Sequence, residues 1–119
     1  MTPVHRKLAS AVLTFDLESE MGTIRSELAD RHSRVARTLI KEGPLRLTLV
    51  GMRAGGALRE HAAEGPIPIH VVEGTIVLQA AGVEHTMKTG AIVALEGGVR
   101  HDVSTSTGAM FLLTLVMVE

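Results

Sequence analysis

The spacing of apolar residues changes period once along the chain. Between residues 15 and 29, Leu17, Met21, Ile24 and Leu28 recur at i, i+4, i+7 and i+11, one face of a helix, while Glu18, Glu20, Arg25 and Glu27 fall off that stripe. Asp16 stands where an N-cap would, with a carboxylate able to accept from first-turn amides. Gly22 weakens the middle by about 1 kcal/mol relative to alanine, so the helix is expected to depend on docking, against the barrel or a partner subunit. From Ser33 the period becomes two. Val35, Arg37 and Leu39 alternate with Ala36, Thr38 and Ile40, and after the turn Glu42-Gly43-Pro44, Leu45, Leu47, Leu49 and Gly51 alternate with Arg46, Thr48 and Val50.

Beyond Gly55-Gly56 the chain reads as further short strands. Pro66 and Pro68 preclude a long helix, and Pro68, lacking an N–H, belongs at a strand's beginning or edge. Strands are predicted over 69–79, interrupted by a bend or bulge at Glu73-Gly74, and over 83–88, 91–95, 99–104 and 109–118. Turns fall at Ala80-Ala81-Gly82, Thr89-Gly90, Glu96-Gly97-Gly98 and 105–108. Seven or eight short strands at a spacing of about ten residues predict an all-β antiparallel sandwich or barrel. Residues 1–33 form an N-terminal arm and amphipathic helix, the arm either loose or an edge strand over 8–15, and residues 34–119 form the barrel. At 119 residues the whole is one structural domain.

Composition narrows the function classes. The formal net charge is −1, from 12 basic and 13 acidic side chains, so the chain lacks the excess of positive charge that nucleic-acid binding draws on. The nearest approach to a basic cluster, Arg31, His32, Arg34, Arg37 and Lys41, has no interleaved aromatics and reads as a solvated face. There is no cysteine, which excludes disulfides, thiolate nucleophiles and thiolate-bound metals. No apolar run approaches the roughly 18 residues of a membrane span. The apolar patch over 8–13 is too short for a secretory signal, so a soluble cytoplasmic protein is expected. Tryptophan and tyrosine are absent, Phe15 and Phe111 are the two aromatics, and six methionines are available to fill irregular core space.

The candidate chemistry lies in two glycine-and-histidine runs. Gly55, five residues and His61, with Gly74 downstream, form the first; Gly90, Gly98 and His101 form the second. In this order, with a hairpin between them, they resemble the two motifs of the cupin superfamily, over residues 35–118. The resemblance implies a double-stranded β-helix, or jelly-roll barrel, with His61 and His101 converging inside it. It also implies a divalent metal (iron, manganese, nickel or zinc) held by two histidines of the first motif, a carboxylate and the histidine of the second. This chain departs from that set. Ala63 occupies the second histidine position, Ile67 the carboxylate position, and Glu96 the proline position of the second motif. By resemblance His61 and His101 remain, and a third donor would come from Glu64, His70 or His85. His70 faces away from the barrel if Val71 faces inward, unless a bulge near Pro68 reverses the alternation; His85, sharing a face with Val83 and Met87, points inward. Asp102 follows His101 directly, so the two side chains leave opposite faces and make a poor dyad.

Two functions follow, with a third behind them. One is a binding module in which a pocket lined by Leu47, Leu49, Ile67, Ile69, Val71, Met87 and Phe111, with His61 and His101 as polar anchors, takes a small, mostly apolar or weakly anionic molecule. The second is a metal-dependent oxygenase or isomerase with His61 and His101 among the ligands. The third, metal-free acid–base catalysis by one of these histidines, lacks a tyrosine as acid partner. Small barrels of this kind commonly form homodimers, and one is expected here.

Overall fold

The computed structural model describes residues 12–30, 32–61 and 65–117, with the backbone alone at Glu60 and His61. The arm up to residue 11, and with it most of the edge strand expected over 8–15, lies outside the described residues, as do Arg31, Ala63 and Glu64. The elements run α1 (Leu17–Asp30), β1 (Arg34–Glu42), β2 (Leu45–Met52), β3 (Ala57–His61), β4 (Ile67–Ala80), β5 (Val83–Lys88), β6 (Ile92–Leu95), β7 (His101–Ser104) and β8 (Ala109–Val116). The strand β3 falls where the sequence pattern showed only a loop leading to His61.

All strand pairs are antiparallel, and β4 joins them into one curled structure. Its first half pairs with β8 and β6, and its second half with β7 and β5. The register slips between Val71 and Glu73, and Gly74 takes a φ of +82°. This is the bend expected at Glu73-Gly74. A Cβ on Gly74 would stand 2.9 Å from the Ala109 Cα and would collide with the Gly108 carbonyl, so the crossing is a close backbone approach that only glycine permits. Pro68 lies before the β8 ladder begins at Ile69, where its missing N–H costs no bond to β8.

Two apolar cores lie on the two faces of this sheet. Inside the barrel, Val50, Met52, Ile67, Ile69, Val71, Ile76, Leu78, Met87, Val103 and Phe111 are buried together. On the outer face, Met21, Ile24 and Leu28 of α1 pack on Val35, Leu39, Leu49 and Met110. The helix stripe read from sequence is thus its docking face, and burying each such side chain contributes about 1.5–3 kcal/mol. Asp16 stands at the N-cap, its carbonyl accepting from Glu20 N at 3.2 Å and its carboxylate from the Ser19 hydroxyl at 2.6 Å. Gly51 gives the helix a flat landing, because a Cβ there would collide with Ile24 and come within 3.2 Å of Leu28.

The helix carries a second, polar set of contacts that its pattern concealed. Arg37 was read as part of a solvated basic face, and Glu20 and Glu27 as lying off the buried stripe. Instead the Arg37 side chain is 6% exposed and Glu20 11%, and one Glu20 carboxylate oxygen accepts from both Nε and Nη2 at 3.2 Å. Glu27 lies 4.0 Å from Nη1, its Oε1 buried without a hydrogen bond. The correction follows from β1 itself: Arg37 sits between Val35 and Leu39 on the face that the helix covers. Two carboxylates on one helix face then meet the single cation beneath them. Among the described residues no helix is long and apolar enough to cross a membrane.

Removing one partner of a buried ion pair costs more than the pair contributes, because it strands the other charge. Arg37→Met is therefore expected to lower stability by about 3–5 kcal/mol in urea melts. Glu20→Leu combined with Arg37→Met is expected to recover part of that loss, and a double variant as unstable as the sum of the singles would refute the coupling.

Candidate functional site

The run Glu96-Gly97-Gly98 turns the chain into β7, and His101 is the first residue of that strand. β7 lies between β3 and the second half of β4. Its register sets Ala57 against Ser104, Leu58 against Val103 and, after a slip, His61 against His101; on the other side Ala80 opposes His101. The backbones that carry the two motif histidines are thus direct cross-strand partners, although the His61 side chain lies outside the described residues.

His101 is 6% exposed, and its Nδ1 lies 3.1 Å from the carbonyl oxygen of Val99. A carbonyl oxygen only accepts, so Nδ1 carries the proton and donates it. In the neutral ring the lone pair then belongs to Nε2, and the bond to Val99 fixes the plane of the imidazole. An imidazole oriented this way is set up to accept a hydrogen bond from a ligand or, given enough further donors, to ligate a metal.

At this end of the barrel an open depression of about 250 Å³ is lined by Gln79, Ala80, Ala81, Gly82, Arg100, His101 and Asp102. Its wall is a two-residue hairpin between β4 and β5, in which both Ala81 (φ 50°) and Gly82 (φ 76°) take left-handed conformations. Val99, Leu113 and Leu115 are partly buried against the barrel core. The lining combines small apolar residues, one cationic side chain, one carboxylate and one oriented imidazole.

Other residues singled out from sequence are distributed differently. Ile67, Ile69, Val71, Met87 and Phe111 are in the barrel core, where they fill the interior. Leu47 and Leu49 do not join them: both pack in the cluster under α1. Period-two spacing groups Leu47 with Leu49, but β2 is buried on both faces, Leu49 under the helix and Val50 in the barrel, so alternation alone could not choose between them. His85 does not point into a closed barrel. It opposes Leu78 on the barrel side, but β5 is an edge strand and the residue is exposed. His70 opposes Leu112, which packs under the helix, so it faces outward; the run Ile67, Ile69, Val71 keeps its alternation past Pro68. Arg100, Asp102 and Gln79 were not read as site residues. Arg100 and Asp102 flank His101, but their meeting with the β4–β5 hairpin depends on the pairing of β4 with β7.

Tested against the metal implied by resemblance, the described donors do not fit. Among the described residues no three His, Asp or Glu side chains are grouped closely enough to hold an ion. A tightly held transition metal needs three or four protein donors, and His70 and His85 are directed elsewhere.

No family model matches the chain, and no curated protein matches it. Solved structures do. The chain is similar to a cupin superfamily protein from Desulfitobacterium hafniense DCB-2, at 10% identity over 71% of this chain and 78% of that one, with a TM-score of 0.69. It is similar to an RmlC-like cupin from Shewanella frigidimarina NCIMB 400, at 20% identity over 73% and 78%, with a TM-score of 0.68. It is also similar to the polyketide cyclase RemF from Streptomyces resistomycificus, at 21% identity over 72% and 66%, with a TM-score of 0.66. At such identities the likeness is one of fold. The chain has the cupin-type double-stranded β-helix, an all-β barrel with one short helix, as the sequence led us to expect.

The bond to Val99 makes a spectroscopic prediction. In long-range ¹⁵N–¹H spectra at about pH 8, where imidazole is mainly neutral, His101 Nδ1 is expected in the protonated range and Nε2 in the unprotonated range. The reverse assignment would break the orientation argument.

Proposed function

We propose that this cupin-fold chain binds a small, mostly apolar molecule bearing a weakly anionic group, at the barrel end where His61 and His101 stand on adjacent strands. The observation that carries this reading is His101: buried, oriented by the Val99 carbonyl, and lining a depression beside Arg100. The exposed Arg100 guanidinium supplies the donors that a carboxylate or phenolate recognises, and Nε2 of the buried His101 accepts from an O–H of the same molecule. The named activity of RemF remains that protein's own; the fold hosts many chemistries, and function is argued from the site.

The metal-dependent alternative needs a third donor from outside the described residues, Glu64 being the one named from sequence. It separates cleanly from the binding reading, since protein purified without a histidine tag would carry stoichiometric metal that His101→Ala loses. For the binding reading, a panel of small aromatic carboxylates and phenols is screened by thermal shift. A ligand at about 100 times its Kd adds about 2.7 kcal/mol of stability, a rise of several degrees. That rise is expected for at least one class and is expected to vanish in His101→Ala. No response from any class, or the same response in the variant, would overturn the proposal.

We also infer a homodimer in the cytoplasm. Leu45, Val116 and Ile92 are exposed on the outer face of the sheet beyond the helix, and a second copy would cover them. Light scattering is expected to give twice the chain mass, falling to one in Ile92→Glu combined with Val116→Glu; a monomeric parent would refute it.

A further inference from the structure

A second groove lies away from the histidines, at the kink of β4. From Gly74 to Ala80 is six residues of strand, about 20 Å at the rise of an extended chain. Here α1 (Arg25, Leu28, Ala29), the end of β2 (Met52, Arg53), the kink (Glu73, Gly74), the β7–β8 turn (Thr107, Gly108) and the start of β8 (Ala109, Met110) surround a groove of about 490 Å³. Its volume falls within the range of small-molecule sites. Its floor is apolar, because Leu28, Met52, Ala109 and Met110 are each buried. Two of these are methionines, whose unbranched thioethers adapt to an irregular aliphatic guest.

The two cations at the rim, Arg25 and Arg53, are placed differently with respect to the carboxylates. Arg25 donates to Glu73 at 2.5 Å and to Glu18 at 3.2 Å, so its charge is answered by two carboxylates. The hydrogen bond that Arg25 donates to Glu73, with Glu18 assisting, holds the Arg25 guanidinium above its ordinary pKa. Arg53 differs: its exposed guanidinium makes no ion pair or side-chain hydrogen bond among the described residues. Its backbone, by contrast, is fixed. Arg53 N donates to Ser33 O at 3.0 Å and Arg53 O accepts from Gly56 N at 2.8 Å, while Gly55 N donates to Thr105 O at 2.8 Å. A cation is thus presented from a braced turn at the lip of an apolar groove, with the neighbouring carboxylate already neutralised.

We propose that this groove is a second binding site, for small aliphatic monocarboxylates, with Arg53 receiving the carboxylate and the Leu28–Met52–Met110 floor receiving the alkyl chain. The head group is specified by the uncompensated guanidinium, which matches a carboxylate bidentately. The tail is specified by the floor, which offers no aromatic face and no polar group.

The test uses the full chain with hexanoate as probe and hexanol as its neutral counterpart, followed by amide ¹H–¹⁵N shifts. Hexanoate is expected to move the amides of Arg53, Gly74, Gly108 and Ala109. Its Kd is expected to rise by about tenfold or more in Arg53→Gln and to stay unchanged in His101→Ala; hexanol is expected to bind at least about tenfold more weakly. Arg53 is exposed, so the variant keeps the fold, which the unperturbed spectrum verifies. Shifts confined to Ala80, Gly82 and His101, an undiminished affinity in Arg53→Gln, equal binding of hexanol, or no shifts at all would each overturn the proposal. Because the histidine site is read by His101→Ala and this one by Arg53→Gln, the two readings stand or fall separately.

Discussion

Every strand ladder of the barrel except β1–β2, β2–β8 and β3–β7 runs through β4. This strand has a hydrogen-bonded neighbour on each side along both halves of its length, and it can serve both only by bending where Gly74 lets the chain pass against Gly108 and Ala109. Side chains below the bend face one neighbour set and those above it another, yet Ile69, Val71, Ile76 and Leu78 all end in one core. A straight strand of the same composition would make a flat sheet with an open apolar face. The bend turns it into a barrel.

From that constraint the positions of both candidate sites follow. At the far end of β4, Ala80 brings His101 alongside the β4–β5 hairpin, and β7 in turn carries His101 to the backbone of His61. At the bend itself, the same close approach that requires glycine leaves a groove between strand ends and the helix. The interior between them holds aliphatic side chains and Phe111. Ile67, at the position where the resemblance implies a carboxylate, is part of the packed core.

The helix is held in a different manner from the strands. Its apolar stripe supplies most of the attraction, but a stripe of aliphatic residues tolerates sliding and rotation. The Glu20–Arg37 pair does not, because a guanidinium beneath the helix must meet a carboxylate at one register only. Buried ion pairs of this sort contribute little net stability and more to the choice of a single arrangement. We take that as the role of Arg37 here, with the nearby Glu27 carboxylate adding negative charge on the same helix face.

The sequence by itself determined the class of fold, the helix with its buried stripe, most strand positions, the bend at Glu73-Gly74 and the two histidine runs. These are local properties: period, turn chemistry and spacing act over a few residues, and nothing distant needs to be known to read them. Only the tertiary structure decided which face of a doubly buried strand looks inward, as at Leu47 and Leu49, because alternation distinguishes two faces without labelling them. It alone buried Arg37, whose charge says "surface" until a helix with two carboxylates is laid over it. It alone left His85 in solvent, since being at a sheet edge is a property of strand order. And it alone brought Arg53, Glu73 and Gly108 around one groove, because residues that far apart in sequence become neighbours only when the whole barrel closes.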